Sequence, residues 1–358
     1  MTATGPRKAP DVVDVVALGE SMVTFLPSRP GRLADVPSFD RAIGGAESNV
    51  ACVLAAAGHT TRWVSRVGAD GFGDHLVETI TAHGVDTSAV RRDPARPTGV
   101  YFRTAGDRAT DAHEVAYYRA GSAASAMSVG NTDLAACRAG RVLHLTGITA
   151  ALSETCLHLL RELTAPAPGR PLLSFDVNHR PGLWRSAPAE ARVLLDLARR
   201  ADLVFVGEDE AEEAWGITGG PSAIREALPE PELLVVKRGA DGATALAHPA
   251  PGPASRATPL TEPAPHVTVT AAPGAGDAFA AGFLSATLRG LPLRTRLRHG
   301  HLTAAAALTA PGDLAAPPAR AHADRLAALD DAAWGRLRLG PGWTAADDDR
   351  ADEEVRTP

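Results

Sequence analysis

Short apolar runs recur along the chain at residues 12–18, 61–67, 142–145, 172–177, 203–206 and 233–236, and each reads as a strand. Segments with helical spacing of apolar positions lie between them, at 47–57, 73–82, 153–163, 189–199, 208–215 and 276–288. Gly58 and Gly84 follow two of these as C-terminal caps. Buried runs separated by helices predict an α/β fold, a mainly parallel sheet sandwiched by helices. Two segments break the alternation. Residues 100–104 and 114–119, joined by the polar connection AGDRATDA, predict a pair of strands beside the main sheet. Such a flap is either a lid that excludes water from a transfer reaction or a surface hairpin. Residues 249–265, rich in proline, alanine and threonine, predict an exposed loop, and no internal repeat is present.

With 358 residues the chain is long enough for a sizeable core in one large domain or two smaller ones. No run approaches the length of a membrane span, and the N-terminus lacks the apolar core of a secretory signal, so a cytoplasmic protein is expected. Cys52, Cys137 and Cys156 are widely spaced among apolar residues, which indicates reduced core positions and neither disulfides nor a zinc site. The net charge is −6, of which the acidic end, residues 345–358, carries −4. The near-neutral remainder offers no electrostatic footprint for nucleic acid, and residues 341–358 read as a disordered tail.

Four short constellations carry chemistry. In PGAGDAFAAGFLSA, residues 273–286, Gly274 and Gly276 free the backbone to approach an anion, and the helix that follows adds unpaired N–H groups and its positive dipole end. Asp277, in the first turn, sits where a carboxylate takes the proton of an attacking hydroxyl, as phosphoryl transfer to an alcohol requires. Taken alone the stretch reads equally as an ordinary capped helix. IGGAESNVACVLAAAG, residues 43–58, places Gly44, Gly45 and Asn49 at a helix start, suited to sugar hydroxyls. FDVNHRPGLW, residues 175–184, sets Asp176, Asn178 and Arg180 just past a strand, where open α/β sheets bind ligands. VVKRGADGA, residues 235–243, ends a strand in a glycine turn that suits a nucleotide or a plain hairpin.

In this order the pieces resemble the ribokinase-like carbohydrate kinases, the family often called PfkB, over about residues 13–313, the GGAESN and GAGDAFAAGF motifs carrying most of the likeness. That resemblance implies a ribokinase-like sheet with a small β-lid from segments 20–42 and 98–120, within one domain spanning 12–330. VALGESMVTF, TGVYFR, AYYRAGSAAS, LHLTGITAALS and DVNHRPGLW are similar to 2-keto-3-deoxygluconate kinases within the family. By that likeness Gly45, Asn49, Tyr101, Tyr117, Arg119, Arg180 and Asp313 contact the sugar acid, and Asp277 is the base beside the Gly274, Ala275 and Gly276 amides. ATP and Mg²⁺ are the implied cofactors, the nucleotide meeting Glu210, Lys237, Gly239, Gly242, Gly274, Gly276 and His301, with no protein metal ligands assigned. Three departures stand out: Gly207 where the family's acidic motif begins with asparagine, His301 where an adenine-side asparagine is common, and Ala271 where an aspartate helps to hold a monovalent cation. The last implies independence of potassium.

A sugar acid also makes physical sense of the arginines, because a carboxylate is best gripped by guanidinium groups, whereas a neutral sugar needs only hydroxyl partners. A kinase for a neutral, fructose- or ribose-like sugar and a non-catalytic sugar-acid-binding regulator remain as alternatives. The expected partners are the sugar acid and ATP, with no nucleic acid or membrane and with a second copy of the chain by analogy with relatives. Tyr118, on the strand face opposite Tyr117, is expected in the core.

Overall fold

A computed structural model describes residues 11–29, 31–104, 114–184, 187–248 and 259–345. The strands in chain order are β1 (Val13–Leu18), β2 (Met22–Pro27), β3 (Phe39–Gly44), β4 (Thr61–Val64), β5 (Arg66–Gly68), β6 (Arg91–Asp93), β7 (Val100–Arg103) and β8 (Val115–Tyr118). They continue with β9 (Gly140–Thr146), β10 (Leu172–Asp176), β11 (Leu203–Gly207), β12 (Leu233–Lys237), β13 (Ala243–Ala247), β14 (Leu260–Glu262), β15 (His266–Val267) and β16 (Arg338–Leu339). The helices are α1 (Ala46–Ala56), α2 (Gly71–Ala82), α3 (Leu134–Arg138), α4 (Gly147–Leu152), α5 (Glu154–Leu163) and α6 (Ala187–Arg199). After them come α7 (Glu208–Trp215), α8 (Gly220–Ala227), α9 (Ala275–Leu288), α10 (Leu293–Leu308), α11 (Arg320–Ala327) and α12 (Asp331–Arg336).

The main sheet has eight strands in the order β14-β13-β12-β11-β10-β9-β1-β4. Pairing is parallel from β4 to β12 and antiparallel at β13 and β14. Both faces are covered, as the unbroken apolar runs require. Val204 and Val206 of β11 face one hydrophobic cluster and Leu203 and Phe205 the other, an alternation with the period of two that a strand imposes. Helix α9 is apolar on every side, and all its residues from Ala278 to Ala286 are buried. The carboxyl ends of β1, β10, β11 and β12 therefore point to one edge, where the starts of α1 and α9 also lie.

A second sheet, order β3-β2-β7-β8, forms the lid. Its Phe25, Phe39 and Phe102 pack together, with the Phe25 and Phe102 rings stacked at 4.7 Å. Tyr101, Arg103 and Tyr117 take the other face, since Tyr101 pairs with Tyr117 across the ladder. Tyr118 is not in the core: it is 65% exposed on the edge strand β8, and its ring contact among the described residues is an edge contact to Phe102.

Two other expectations need correction. Within the stretch read as an exposed loop, Leu260–Glu262 is the edge strand of the main sheet, and its buried Glu262 pairs with Arg298 at 2.9 Å. Residues 249–258, the connection 105–112 and residues 346–358 lie outside the described residues. The body also runs past residue 330: β16 pairs with β15, buried Trp334 donates to the Pro263 carbonyl at 2.9 Å, and Trp343 closes the same apolar cluster.

Candidate active site

Gly274 caps α9 with φ of +78°, a left-handed conformation, and a Cβ there would lie 2.1 Å from the Asp313 carbonyl oxygen. The turn therefore admits only glycine at this point. It aims the first N–H groups of α9 into the site, where helix geometry leaves them without intrahelical partners. One of them is partly engaged, the Ala275 N–H reaching the Ala272 carbonyl at 3.4 Å. Asp277 follows in the first turn, with both carboxylate oxygens held. Asn49 Nδ2, from α1, donates to Oδ2 at 2.9 Å, and Asn178 Nδ2, just past β10, donates to Oδ1 at 3.4 Å. Asn178 reaches this position through a left-handed backbone, φ +41°, which asparagine tolerates. Both asparagines are buried, and their Oδ1 atoms have no hydrogen-bond partner among the described residues.

Burial pushes the Asp277 carboxyl up to about 7; the Asn49 hydrogen bond opposes this, Asp176 adds to it, and Lys237 and Arg180 oppose it. A carboxylate poised near neutrality is suited to take a proton and release it again.

Lys237 closes β12 with its Nζ 3.0 Å from each oxygen of buried Asp176. Burial alone would weaken the ammonium's hold on its proton, but Asp176 and then Glu210 outweigh it, so its pKa lies above the ordinary lysine value. The Nζ would sit 3.5 Å from a Cβ on Gly276, so this cation lies directly under the α9 turn. Glu210 accepts the Gly207 N–H at 2.7 Å, and its other oxygen lies 4.0 Å from Arg180. A Cβ at 207 would come 2.4 Å from Asp209 Oδ1, so an asparagine there would require that exposed carboxylate to turn aside. Gly239 and Gly242 shape the β12–β13 turn with φ of +55° and +105°. His301 is a different matter: it is buried, its ring 5.2 Å from Phe279 and its Nε2 3.2 Å from the Glu262 carbonyl oxygen. Enclosure pushes its pKa down to about 4, so it is a neutral core residue and presents no open edge for a base.

On the lid side, the Tyr101 hydroxyl donates to Asp313 Oδ2, and Arg103 Nη2 lies 2.7 Å from Oδ1. Burial and the neighbouring Asp313 carboxylate raise the Tyr101 phenol well above its ordinary value. The glycine that borders this couple is Gly44, where a Cβ would come 2.1 Å from the Tyr101 hydroxyl. Gly45 instead packs on the β1–β2 connection, where a Cβ would come 2.5 Å from the Glu20 carbonyl oxygen. Tyr117 is half-exposed, its ring centroid 5.5 Å from that of Tyr101. Arg119 is ion-paired with Glu20, Nε to Oε2 at 2.8 Å, and Ser122 donates to the other Glu20 oxygen. Among the described residues, Arg180 alone of the three site arginines has no carboxylate closer than 4.0 Å.

The structure thus brings Asn49, Asp277, the Gly274–Gly276 turn, Arg180, Lys237 and Glu210 to one sheet edge, with Tyr101 and Asp313 beside them. The sequence marked Asp176 and Asn178 as candidates at the ligand-binding end of a strand without giving either a specific role, and it missed Glu20 and Arg103. The alternation that aims Tyr101 at the site aims Arg103 there as well, a signal present in TGVYFR.

Residues 13–320 match the family model described as pfkB family carbohydrate kinase. The chain is 31% identical over 324 residues to the 2-dehydro-3-deoxygluconokinase of Thermoproteus tenax, covering 90% of this chain and 96% of that one. To the probable fructokinase-6 of Arabidopsis thaliana it is 31% identical over 288 residues, 78% of this chain and 71% of the relative. Among solved structures, the PfkB protein from Polaromonas sp. JS666 superposes with a TM-score of 0.75 at 36% identity, covering 87% of this chain and 99% of that one.

Proposed function

The chain belongs to the pfkB family of carbohydrate kinases, and from that premise we propose that it phosphorylates the terminal 6-hydroxyl of the sugar acid 2-keto-3-deoxygluconate, with ATP as donor. Asp277 carries this reading: a carboxylate held by two amides at a helix start, with its pKa near 7, is in a state to act as base at neutral pH.

Asp277 takes the hydroxyl proton as the sugar oxygen forms its bond to the γ-phosphorus and the bond to the β-phosphate oxygen breaks. The N–H groups opening α9 face the charge that shifts during transfer, and the ammonium of Lys237 beneath the turn adds to that field. The fit to a nucleotide rests on the glycine-shaped turn at 274–276 and the β12–β13 turn with Gly239 and Gly242. Among the described residues no cluster of three or more acidic, histidine or cysteine side chains could hold a metal. Bound with the nucleotide, Mg²⁺ would supply charge neutralisation of the phosphates, and Glu210 is the carboxylate that would lie near it. Arg180 grips the substrate carboxylate, being the guanidinium least committed to protein acids.

A second reading, a kinase for a neutral sugar, is favoured by the commitment of Arg119 to Glu20 and of Arg103 to Asp313, and by the likeness to a fructokinase. A cytoplasmic location accords with the finding that no described helix is long and apolar enough to cross a membrane. A homo-oligomer accords with the edge strand β8, which exposes Val115, Tyr117 and Tyr118.

The test is ADP release by the purified protein with Mg-ATP and 2-keto-3-deoxygluconate, its galacto epimer, fructose or ribose, with and without potassium. Turnover confined to the keto acids supports the proposal. Turnover on fructose or ribose replaces it with the second reading, and sugar-acid binding without turnover points to a regulator.

A further inference from the structure

We infer that Arg103 is a positioning residue of the sugar site, holding the Asp313 carboxylate as a latch between the lid and the turn that opens α9. The inference rests on the proposal that this edge of the sheet is where the sugar binds.

Arg103 ends β7, two residues beyond Tyr101 and on the same face of the lid. Its Nη2 meets Asp313 Oδ1 at 2.7 Å while the Tyr101 hydroxyl holds Oδ2, and the Arg103 and Asp313 side chains are only 8% and 10% exposed. Asp313 lies in the loop after α10, with its carbonyl oxygen packed on Gly274 and its Oδ2 facing Gly44, where a Cβ would come 2.8 Å away. One side chain and its backbone therefore touch the lid, the glycine pair before α1 and the phosphoryl-transfer turn. A carboxylate so far out of water needs a counter-charge, which a phenol does not supply. Arg119 is committed to Glu20, so Arg103 is the cation that partners Asp313 and keeps it aimed. Without it the carboxylate loses its charged partner and is free to swing away. That motion releases β7 from the α9 turn and spoils the surface that Tyr101 and Asp313 together present to a sugar.

Two readouts test the latch in Arg103→Met, Arg103→Lys, Asp313→Asn and the double variant Arg103→Met/Asp313→Asn. Hydrogen exchange in lid peptides spanning residues 98–104 and 114–122, measured without sugar, is expected to quicken about tenfold in Arg103→Met, with the double variant no faster than either single one. Unchanged lid exchange, or additive effects, overturns the latch. With whichever sugar the wild type phosphorylates, KM should rise about tenfold or more in Arg103→Met while kcat stays within about threefold, and Arg103→Lys should recover part of the loss. A fall in thermal stability with KM unmoved overturns the positioning role. A wild type inactive on every sugar would refute the kinase proposal, and the exchange measurement would still decide the latch.

Discussion

Replacing Asn49 with alanine should move the acid limb of the rate profile, because its amide makes the shorter of the two hydrogen bonds to the Asp277 carboxylate, 2.9 Å against 3.4 Å for Asn178. A hydrogen bond to a charged group contributes about 1.5–3 kcal/mol, which corresponds to about 1–2 pK units. The base, at about 7 in the intact protein, would then titrate at about 8–9. At pH 7 its ionised fraction would fall from about a half to between about a tenth and a hundredth, so kcat should drop about 5–50-fold and recover at about pH 9.5. The direction follows from the active form being the ionised one: activity is lost as pH falls through the pKa, and a raised pKa moves that loss to higher pH. The assay is coupled ADP release at saturating substrates from about pH 6 to 9.5, with Asn178→Ala as companion and a smaller shift expected for its longer bond. A loss in Asn49→Ala that is the same at every pH, with the acid limb still near 7, would show that Asn49 does not set the base.

Asp277→Asn should lower kcat by about 10²-fold or more at every pH with little change in ATP affinity. Because the folded-state pKa of Asp277 lies above its unfolded value of 3.8, the wild type loses stability as pH rises from about 4 to 7, at about 1.4 kcal/mol per unit. Asp277→Asn should therefore melt higher than wild type at pH 8, a gain that calorimetry would find absent at pH 4. Arg180→Ala should raise KM for the sugar acid about tenfold and leave any turnover of a neutral sugar unchanged, whereas equal effects on both would remove Arg180 from carboxylate recognition. Gly274→Ala should abolish most turnover and lower the melting temperature, since its Cβ has no room beside the Asp313 carbonyl and its φ is left-handed. Wild-type activity in that variant would refute the account of the turn.

The fold was legible where burial repeats locally. Residues 208–215 read as a helix and are α7, and the strand runs at 172–177, 203–206 and 233–236 lie within a residue of β10, β11 and β12, because strands covered on both faces must be apolar throughout. Errors arose where neighbours overrode local chemistry. Leu260–Glu262 follows a proline-rich stretch, yet the open edge of β13 recruits it as a strand. Tyr118 has the alternation of a core residue, but among the described residues only the edge of Phe102 meets its ring and it stays 65% exposed. His301 occupies the place of a polar nucleotide contact and is enclosed by Phe279 and Trp334 instead.

The sequence by itself determined the layered sheet, the lid strand pair and the turn that delivers Asp277, because apolar periodicity and a glycine's left-handed backbone are properties of a few consecutive residues. Only the tertiary structure decided what each charge does. Asn49 meets Asp277 across 228 residues, Arg119 meets Glu20 across 99, and Lys237 meets Asp176 across 61. A guanidinium neutralised by a buried carboxylate is held as a strut, whereas one left facing water keeps its donors free for an anion; a carboxylate's affinity for a proton likewise depends on the amides and charges around it. Those neighbours come from distant segments, so the division of labour among Arg103, Arg119 and Arg180 is set by the packing of the lid on the sheet edge.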